Sequence, residues 1–440
     1  MSTTGETYDE YHALLARQDA MRLRERLLRP GGTERPVESG DFYDGAGDQE
    51  TIRRYLSPVT PFSDLIDRLY RAMFEQHPYL RGLFPESMDF QRAHLERAFW
   101  YLIENLDRPD EVAGFCARLG RDHRKLGVRP VHFEVFEEAL VTALRRSAGD
   151  RWAEEAEWAW VRMVRFAVAA MVDGAREALA EPAYWNATVT EHEVRGPDVA
   201  VLRVRTAEPF PYRAGQYARL ESPLLPQAWR PYSVACAPRE DGELEFHVRR
   251  TGPDGVSDAL VGRTGVGDRL RLGPAQGSMT LDDAPPGDLL IVAGGTGWAT
   301  AKALLDDLAV RRSGHRRARL FLGARSLDDL YDTASLAELE TRHPWLRVVP
   351  VVGEGLGTDE ETSIAAVVAR HTDWSGHLAY VSGPPAMVAA TVRRLTARGM
   401  PADRIRHDPI DQTTGRPPAG RLSDPLSPAV RRREWAVRAR

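Results

Sequence analysis

The spacing of apolar residues changes twice along this chain, and the two changes limit what it can fold into. Between residues 48 and 181 the pattern is helical, with few Gly or Pro inside the runs and no strand-like alternation. Helices are expected over 61–76, 89–105, 109–126, 133–146 and 152–179. The first places Leu65, Ile66, Leu69, Tyr70, Met73 and Phe74 on one stripe and stops before Pro78. The third starts at a proline and ends at Gly127, which suits a helix cap. From 186 to 274 short strands (189–193, 199–206, 216–220, 244–250, 269–272) are broken by Gly and Pro, which predicts a small antiparallel barrel. From 288 to 405 strands alternate with helices, including one expected over 327–342, and this predicts a doubly wound parallel sheet. The expected fold is multidomain: an all-α domain over 48–184, an antiparallel β-barrel over 185–284 and an α/β doubly wound domain over 285–410. A helix (8–29) and a Pro/Gly/Asp-rich linker (33–47) precede them, and a disordered Pro/Arg-rich tail (411–440) follows.

Composition removes several function classes. A net charge of -5 leaves no basic excess to neutralise phosphates, so nucleic acid is not an expected partner. The most apolar stretch, residues 166–172, is far shorter than a membrane span. Two cysteines, Cys116 and Cys236, exclude a four-thiolate iron-sulfur cluster and provide no disulfide framework. The first ten residues are polar and acidic, unlike a secretory signal, so the expected setting is the cytoplasm.

The chemistry-bearing motifs occur in order. Gly294-Gly295-Thr296-Gly297 follows a strand and precedes a helix, where glycines let backbone approach a pyrophosphate; Gly383-Pro384 ends a later strand of the same sheet. Two such turns at strand ends imply a dinucleotide crevice. Upstream, Arg230-Pro231-Tyr232-Ser233 combines a guanidinium fork, a flat phenol and a hydroxyl, and Gly255-Val256-Ser257 opens a helix. The series resembles the ferredoxin-NADP reductase superfamily over 186–409. That resemblance implies FAD, with Arg230 and the Gly255-Val256-Ser257 turn at its pyrophosphate, Tyr232 against the flavin and Ser233 facing its reactive nitrogen. It also implies NAD(P)H at the two glycine turns. Arg325 follows another strand and could hold the adenosine ribose or a 2′-phosphate, which leaves NADH and NADPH both open, with NADH favoured by the resemblance. Two positions depart from the pattern: Ser382 stands for the usual cysteine, and Asp408, followed by Ile410, stands for a glutamate and an aromatic ring.

In the helical part, Phe115, Leu119, His123 and Leu126 share one helix face, so an imidazole projects where the apolar stripe points inward. It can ligate iron, or it can simply cap loose carbonyls at a helix C-terminus. The segments 69–74, 76–80 and 83–85, then 99–106 and 120–130, resemble bacterial flavohaemoglobins over 48–180, and a globin followed by a flavin reductase is that family's architecture. The resemblance implies haem b on His123, Phe84 packed on the haem, and Tyr70 with Gln91 as the distal pair that hydrogen-bonds dioxygen. Tyr70 as a core residue bonded to a carbonyl, Gln91 as a surface amide and His94 facing solvent are the plainer readings. Phe133 and Ala175 stand where the family has a tyrosine and a glutamate behind the proximal imidazole, which makes that imidazole less anionic. The activity implied is conversion of nitric oxide and dioxygen to nitrate with electrons from NAD(P)H. The alternative is a haem-based oxygen or redox sensor, or an oxygen-binding globin kept ferrous by its own reductase. The small molecules dioxygen, nitric oxide and NAD(P)H are the only partners implied, and oligomeric state is left open.

Overall fold

The structure, a computed structural model, describes residues 44–282, 287–311, 316–353 and 363–408. The expected helix over 8–29, the tail 411–440 and Pro409-Ile410 lie outside them. Within the helical part the elements are α1 (Gly45–Arg54), α2 (Phe62–Gln76), α3 (Asp89–Asn105), α4 (Pro109–His123), α5 (Pro130–Ala148) and α6 (Glu154–Glu177). Helix α1 begins inside the stretch expected to be linker, because the Asp44 carboxylate accepts from the Gly47 N–H at 3.1 Å and caps the first turn. Helix α4 ends three residues earlier than expected. The chain tightens into a 3₁₀ turn over Arg124–Leu126, and Gly127 at φ 73° closes it.

The core of this part is aromatic and aliphatic. Phe62 of α2, Phe99 of α3 and Trp160 of α6 meet edge to face with ring centroids 5.6 to 6.0 Å apart. Asp48 of α1, buried, accepts a guanidinium fork from Arg162 of α6 at 2.5 to 3.1 Å. The closest approach is between α4 and α6. A Cβ on Gly120 would lie 1.9 Å from the Met171 carbonyl oxygen, and one on Gly174 would lie 2.2 Å from the Ala117 carbonyl oxygen. Backbone therefore touches backbone at both glycines, and the end of α4 has one position available to it.

The next six strands are β1 (Trp185–Val194), β2 (Val199–Thr206), β3 (Tyr217–Glu221), β4 (Arg230–Ser233), β5 (Glu243–Arg249) and β6 (Arg269–Leu272), antiparallel in the order β4-β3-β6-β1-β2-β5. A bridge between Val234 and Phe246 joins the two edges and nearly closes the barrel. A short helix, α7 (Val256–Gly262), packs on β5. The last part is a parallel sheet in the order β11-β10-β7-β8-β9, from β7 (Leu289–Gly294), β8 (Ala318–Ala324), β9 (Leu346–Val352), β10 (Leu378–Ser382) and β11 (Ile405–Arg406). Its helices are α8 (Trp298–Arg311), α9 (Thr333–Arg342), α10 (Ile364–His371) and α11 (Pro385–Ala397). The expected helix over 327–342 starts only at Thr333. Ser326 and Asp329 bond each other's backbone and side chain at 3.3 Å, which holds a turn in place of the first helical turn. Among the described residues no helix is long and apolar enough to cross a membrane.

Replacing Gly120 by Ala forces α4 and α6 apart. Overpacking of this kind costs about 1–3 kcal/mol, so urea unfolding followed by far-UV circular dichroism is expected to show a lower midpoint, whereas Gly82→Ala, with open space around it, leaves the midpoint in place.

Candidate functional site

His123 is the last residue of α4 and half-buried. Its Nδ1 donates to the Leu119 carbonyl at 2.8 Å, which leaves the Nε2 lone pair available as a ligand. Burial holds the imidazole below its usual pKa, and so neutral. The backing group is a neutral carbonyl, as the presence of Phe133 and Ala175 suggests; Asp173 is exposed, and Glu177 lies 4.0 Å from Arg121.

Tyr70 is buried on α2 and packs against Phe84 at 5.6 Å and Phe74 at 5.9 Å between ring centroids. Burial pushes the phenol well above its usual pKa, which keeps it a donor. On α3, the Gln91 side-chain oxygen is buried with no partner. An orphaned acceptor of this kind costs about 1–3 kcal/mol, which a bound molecule with a donor, or an ordered water, would remove. His94 does not simply face solvent: its ring lies tilted against Phe90, 3.8 Å between centroids, and its Nδ1 lies 3.0 Å from the Phe90 carbonyl. Phe74, Phe84, Leu95, Leu119, Phe136 and Phe166 line the same helical core while only partly buried themselves. A free imidazole nitrogen, a buried phenol, an unpartnered amide oxygen and half-covered apolar side chains together fit an iron porphyrin.

Arg230, Tyr232 and Ser233 lie along β4. The Arg230 guanidinium sits over the ring of Phe90, 4.3 Å from its centroid, so strand β4 touches helix α3 one residue from Gln91. Sequence reading missed Phe90; it lies 140 positions from Arg230 and carries no local signal. Gly255 precedes α7, and the Ser257 hydroxyl accepts from the Thr251 N–H at 3.1 Å and pairs with its hydroxyl at 3.0 Å. The two glycine turns of the parallel sheet meet. A Cβ on Gly294 would lie 3.3 Å from Pro384, one on Gly297 2.3 Å from the Ser382 carbonyl oxygen, and one on Gly383 3.0 Å from the Gly294 nitrogen. Any side chain there would push the turns apart, so glycine is required for the crevice. Thr296 lies half-buried between Gly295 and Gly297. Arg325 stands apart, exposed and paired with Asp329 at 3.4 Å. Asp408 is at the far edge beside Gly277; burial pushes it up to about 6, and one carboxylate oxygen is unpartnered.

The helical part and the barrel meet beside His123. Asp122 accepts from Gln276 at 2.9 Å and from Lys125, whose buried ammonium lies 5.4 Å from the centroid of Trp229. Burial alone would raise the Asp122 pKa, but Lys125 and Arg219 hold it below the usual carboxylate range.

Comparison with known proteins follows the same partition. A globin family model matches residues 67–171, an oxidoreductase FAD-binding domain 186–299 and an oxidoreductase NAD-binding domain 291–393. The chain is 31% identical over 205 residues to the reductase component of phenol 2-monooxygenase from a Pseudomonas species, covering 45% of this chain and 58% of that protein. It is 34% identical over 236 residues to the reductase subunit of an aromatic O-demethylase from an Amycolatopsis species, covering 51% and 68%. A flavohemoprotein of Chromobacterium violaceum is 25% identical over 381 residues, covering 78% of this chain and 92% of that one. Among solved structures, a flavohemoglobin from Malassezia yamatoensis with bound FAD and heme superposes with a TM-score of 0.68 at 18% identity, covering 83% and 98%.

Gln91→Leu removes the orphaned oxygen. The haem-free protein is expected to gain about 1 kcal/mol in urea unfolding, while haem-loaded protein loses dioxygen about ten- to a hundredfold faster in flash photolysis.

Proposed function

The chain belongs to the flavohaemoglobin family, a globin joined to FAD- and NAD-binding oxidoreductase domains, and from that premise we propose an NAD(P)H-dependent nitric oxide dioxygenase. It takes haem at His123, FAD along β4 and α7, and NAD(P)H at the crossing of the two glycine turns. Bound there, FAD would supply the exchange between two-electron and one-electron transfer, and haem would supply an iron centre for dioxygen chemistry. The reaction balances: two nitric oxides, two dioxygens and one NAD(P)H give two nitrates, oxidised nucleotide and one proton.

The observation that carries this reading is the position of His123. The neighbouring residue, Asp122, is hydrogen-bonded to Gln276 of the barrel at 2.9 Å, so the iron ligand is held against the flavin-binding domain by direct contact. The remaining residues have separable tasks. Leu119 fixes the tautomer of His123 through its carbonyl. The phenol of Tyr70, kept protonated by burial, supplies a donor on the distal side, and Gln91 supplies an amide. Glycine at 294, 297 and 383 lets nucleotide phosphates approach backbone amides without a side chain between. Two buried free thiols, Cys116 and Cys236, fit the reducing cytoplasm.

A second reading has one observation in its favour. The imidazole is backed by a neutral carbonyl, so it pushes little electron density toward iron, which suits a store or sensor of dioxygen kept ferrous by its own reductase. Purified protein mixed with NADH and nitric oxide in air separates the two. Repeated turnover with nucleotide oxidation and nitrate release supports the dioxygenase, and one stoichiometric burst supports the store. His123→Ala is expected to abolish the Soret band while FAD content is kept; retention of the band would remove the basis for both readings.

A further inference from the structure

Three hydroxyls from three elements form a chain across the junction of barrel and nucleotide domain. Ser382, the last residue of β10, donates to Thr300 Oγ1 at 3.1 Å, and Thr300, in the first turn of α8, donates to Ser233 Oγ, at the end of β4, at 2.9 Å. A hydroxyl has one proton and two acceptor sites. With Thr300 donating to it, Ser233 has its own proton left over, and that proton points away from Thr300. Thr300 is 1% exposed, so water cannot replace either bond. A threonine at this place in a helix often bonds back to a carbonyl one turn earlier, which would serve only the helix. Here the proton goes instead to a different domain.

We infer that Thr300 is a positioning residue that turns the Ser233 hydroxyl into a directed donor toward the flavin ring, with Ser382 setting the direction of the chain from the nucleotide side. This rests on the proposal that FAD lies beside Ser233. In the hydride transfer, the C–H bond of the reduced nicotinamide breaks and an N–H bond on the flavin forms. Both electrons travel with the hydrogen, so the nucleotide is oxidised and the flavin reduced. A donor fixed at the receiving nitrogen favours the incoming electron pair, and one free to rotate favours it less. Such chains also polarise each member, so loss of the middle hydroxyl affects the end one. The chain links strand β4, which carries the flavin residues, to strand β10, whose end contacts the nucleotide turn. The serine found at 382 therefore has a use that the cysteine expected there would serve less well, since a thiol is a weak donor.

The test compares Thr300→Val, which keeps shape and removes the hydroxyl, with Thr300→Ser, which keeps the hydroxyl, and uses Ser382→Ala as a second break in the chain should valine disturb folding. Full-length holoprotein is mixed anaerobically with NADH and the loss of flavin absorbance is followed, alongside FAD content, NADH affinity and flavin midpoint potential. The expected result is flavin reduction slowed about three- to tenfold in Thr300→Val and Ser382→Ala, with a more negative potential, unchanged FAD content and NADH affinity, and recovery in Thr300→Ser. If Thr300→Val lowers only the melting temperature and leaves reduction rate and potential at wild-type values, the bonds are structural and the inference is overturned while the FAD reading stands. If wild-type protein binds no FAD, the parent reading fails and takes this one with it.

Discussion

Backbone pressed on backbone, at Gly120 against Met171 and at Gly174 against Ala117, is the contact on which the globin half depends. It sets α4 against α6 without intervening side chains, and α4 is the helix that ends at His123. Three consequences follow from that one approach. The imidazole emerges at a helix end, where the Leu119 carbonyl can take its Nδ1 proton. The chain must turn sharply afterwards, which the 3₁₀ turn and Gly127 accomplish. Asp122 and Lys125, on either side of His123, then face the barrel and not solvent.

The barrel and the nucleotide sheet repeat this logic with different means. Gly294, Gly297 and Gly383 lie where a Cβ would strike the neighbouring turn, so the crevice exists because side chains are missing. Across the junction, polar bonds do the joining: Arg195 donates to Asp332, Lys302 to Glu245 at 2.9 Å, and the serine-threonine chain connects β4, α8 and β10. Contacts that bear on chemistry therefore cluster at the joints between domains. Arg230 on Phe90 is the clearest instance, because it ties a cation of β4 to the helix that carries Gln91.

How much of this was legible in the sequence depends on the range of the interaction. Features set by local periodicity and turn chemistry were readable: the helix over Asp89–Asn105, the strands over Val199–Thr206 and Arg269–Leu272, the glycine turns and the cap at Gly127. Where a side chain accepts from a backbone N–H three residues on, the reading erred, as at Ser326 with Asp329, whose turn delays α9, and at Asp44, which starts α1 inside the expected linker. Helical spacing put His123 on the inward face of its helix, and only the resemblance prefers iron to a capping role. The partner of Arg230 and the bridging hydroxyl of Thr300 were not legible, because each pairs elements whose approach is set by packing and not by sequence distance. Thr300 did carry a faint signal, three residues past Gly297 on the helix leaving the glycine turn.

The sequence holds two lysines against a large excess of arginine, and the structure puts each at a joint. Lys125 is covered between globin and barrel, with a side chain 1% exposed; Lys302 is held between barrel and nucleotide domain by Glu245 and the Ala235 carbonyl, with a side chain 15% exposed. An acylating reagent selective for primary amines therefore finds almost nothing to modify on the closed protein apart from the chain's own amino end. Each lysine becomes reactive only when its joint opens. The protein thus contains two natural reporters of breathing between its lobes, one for each hinge, which can be read separately by peptide mass without adding a label.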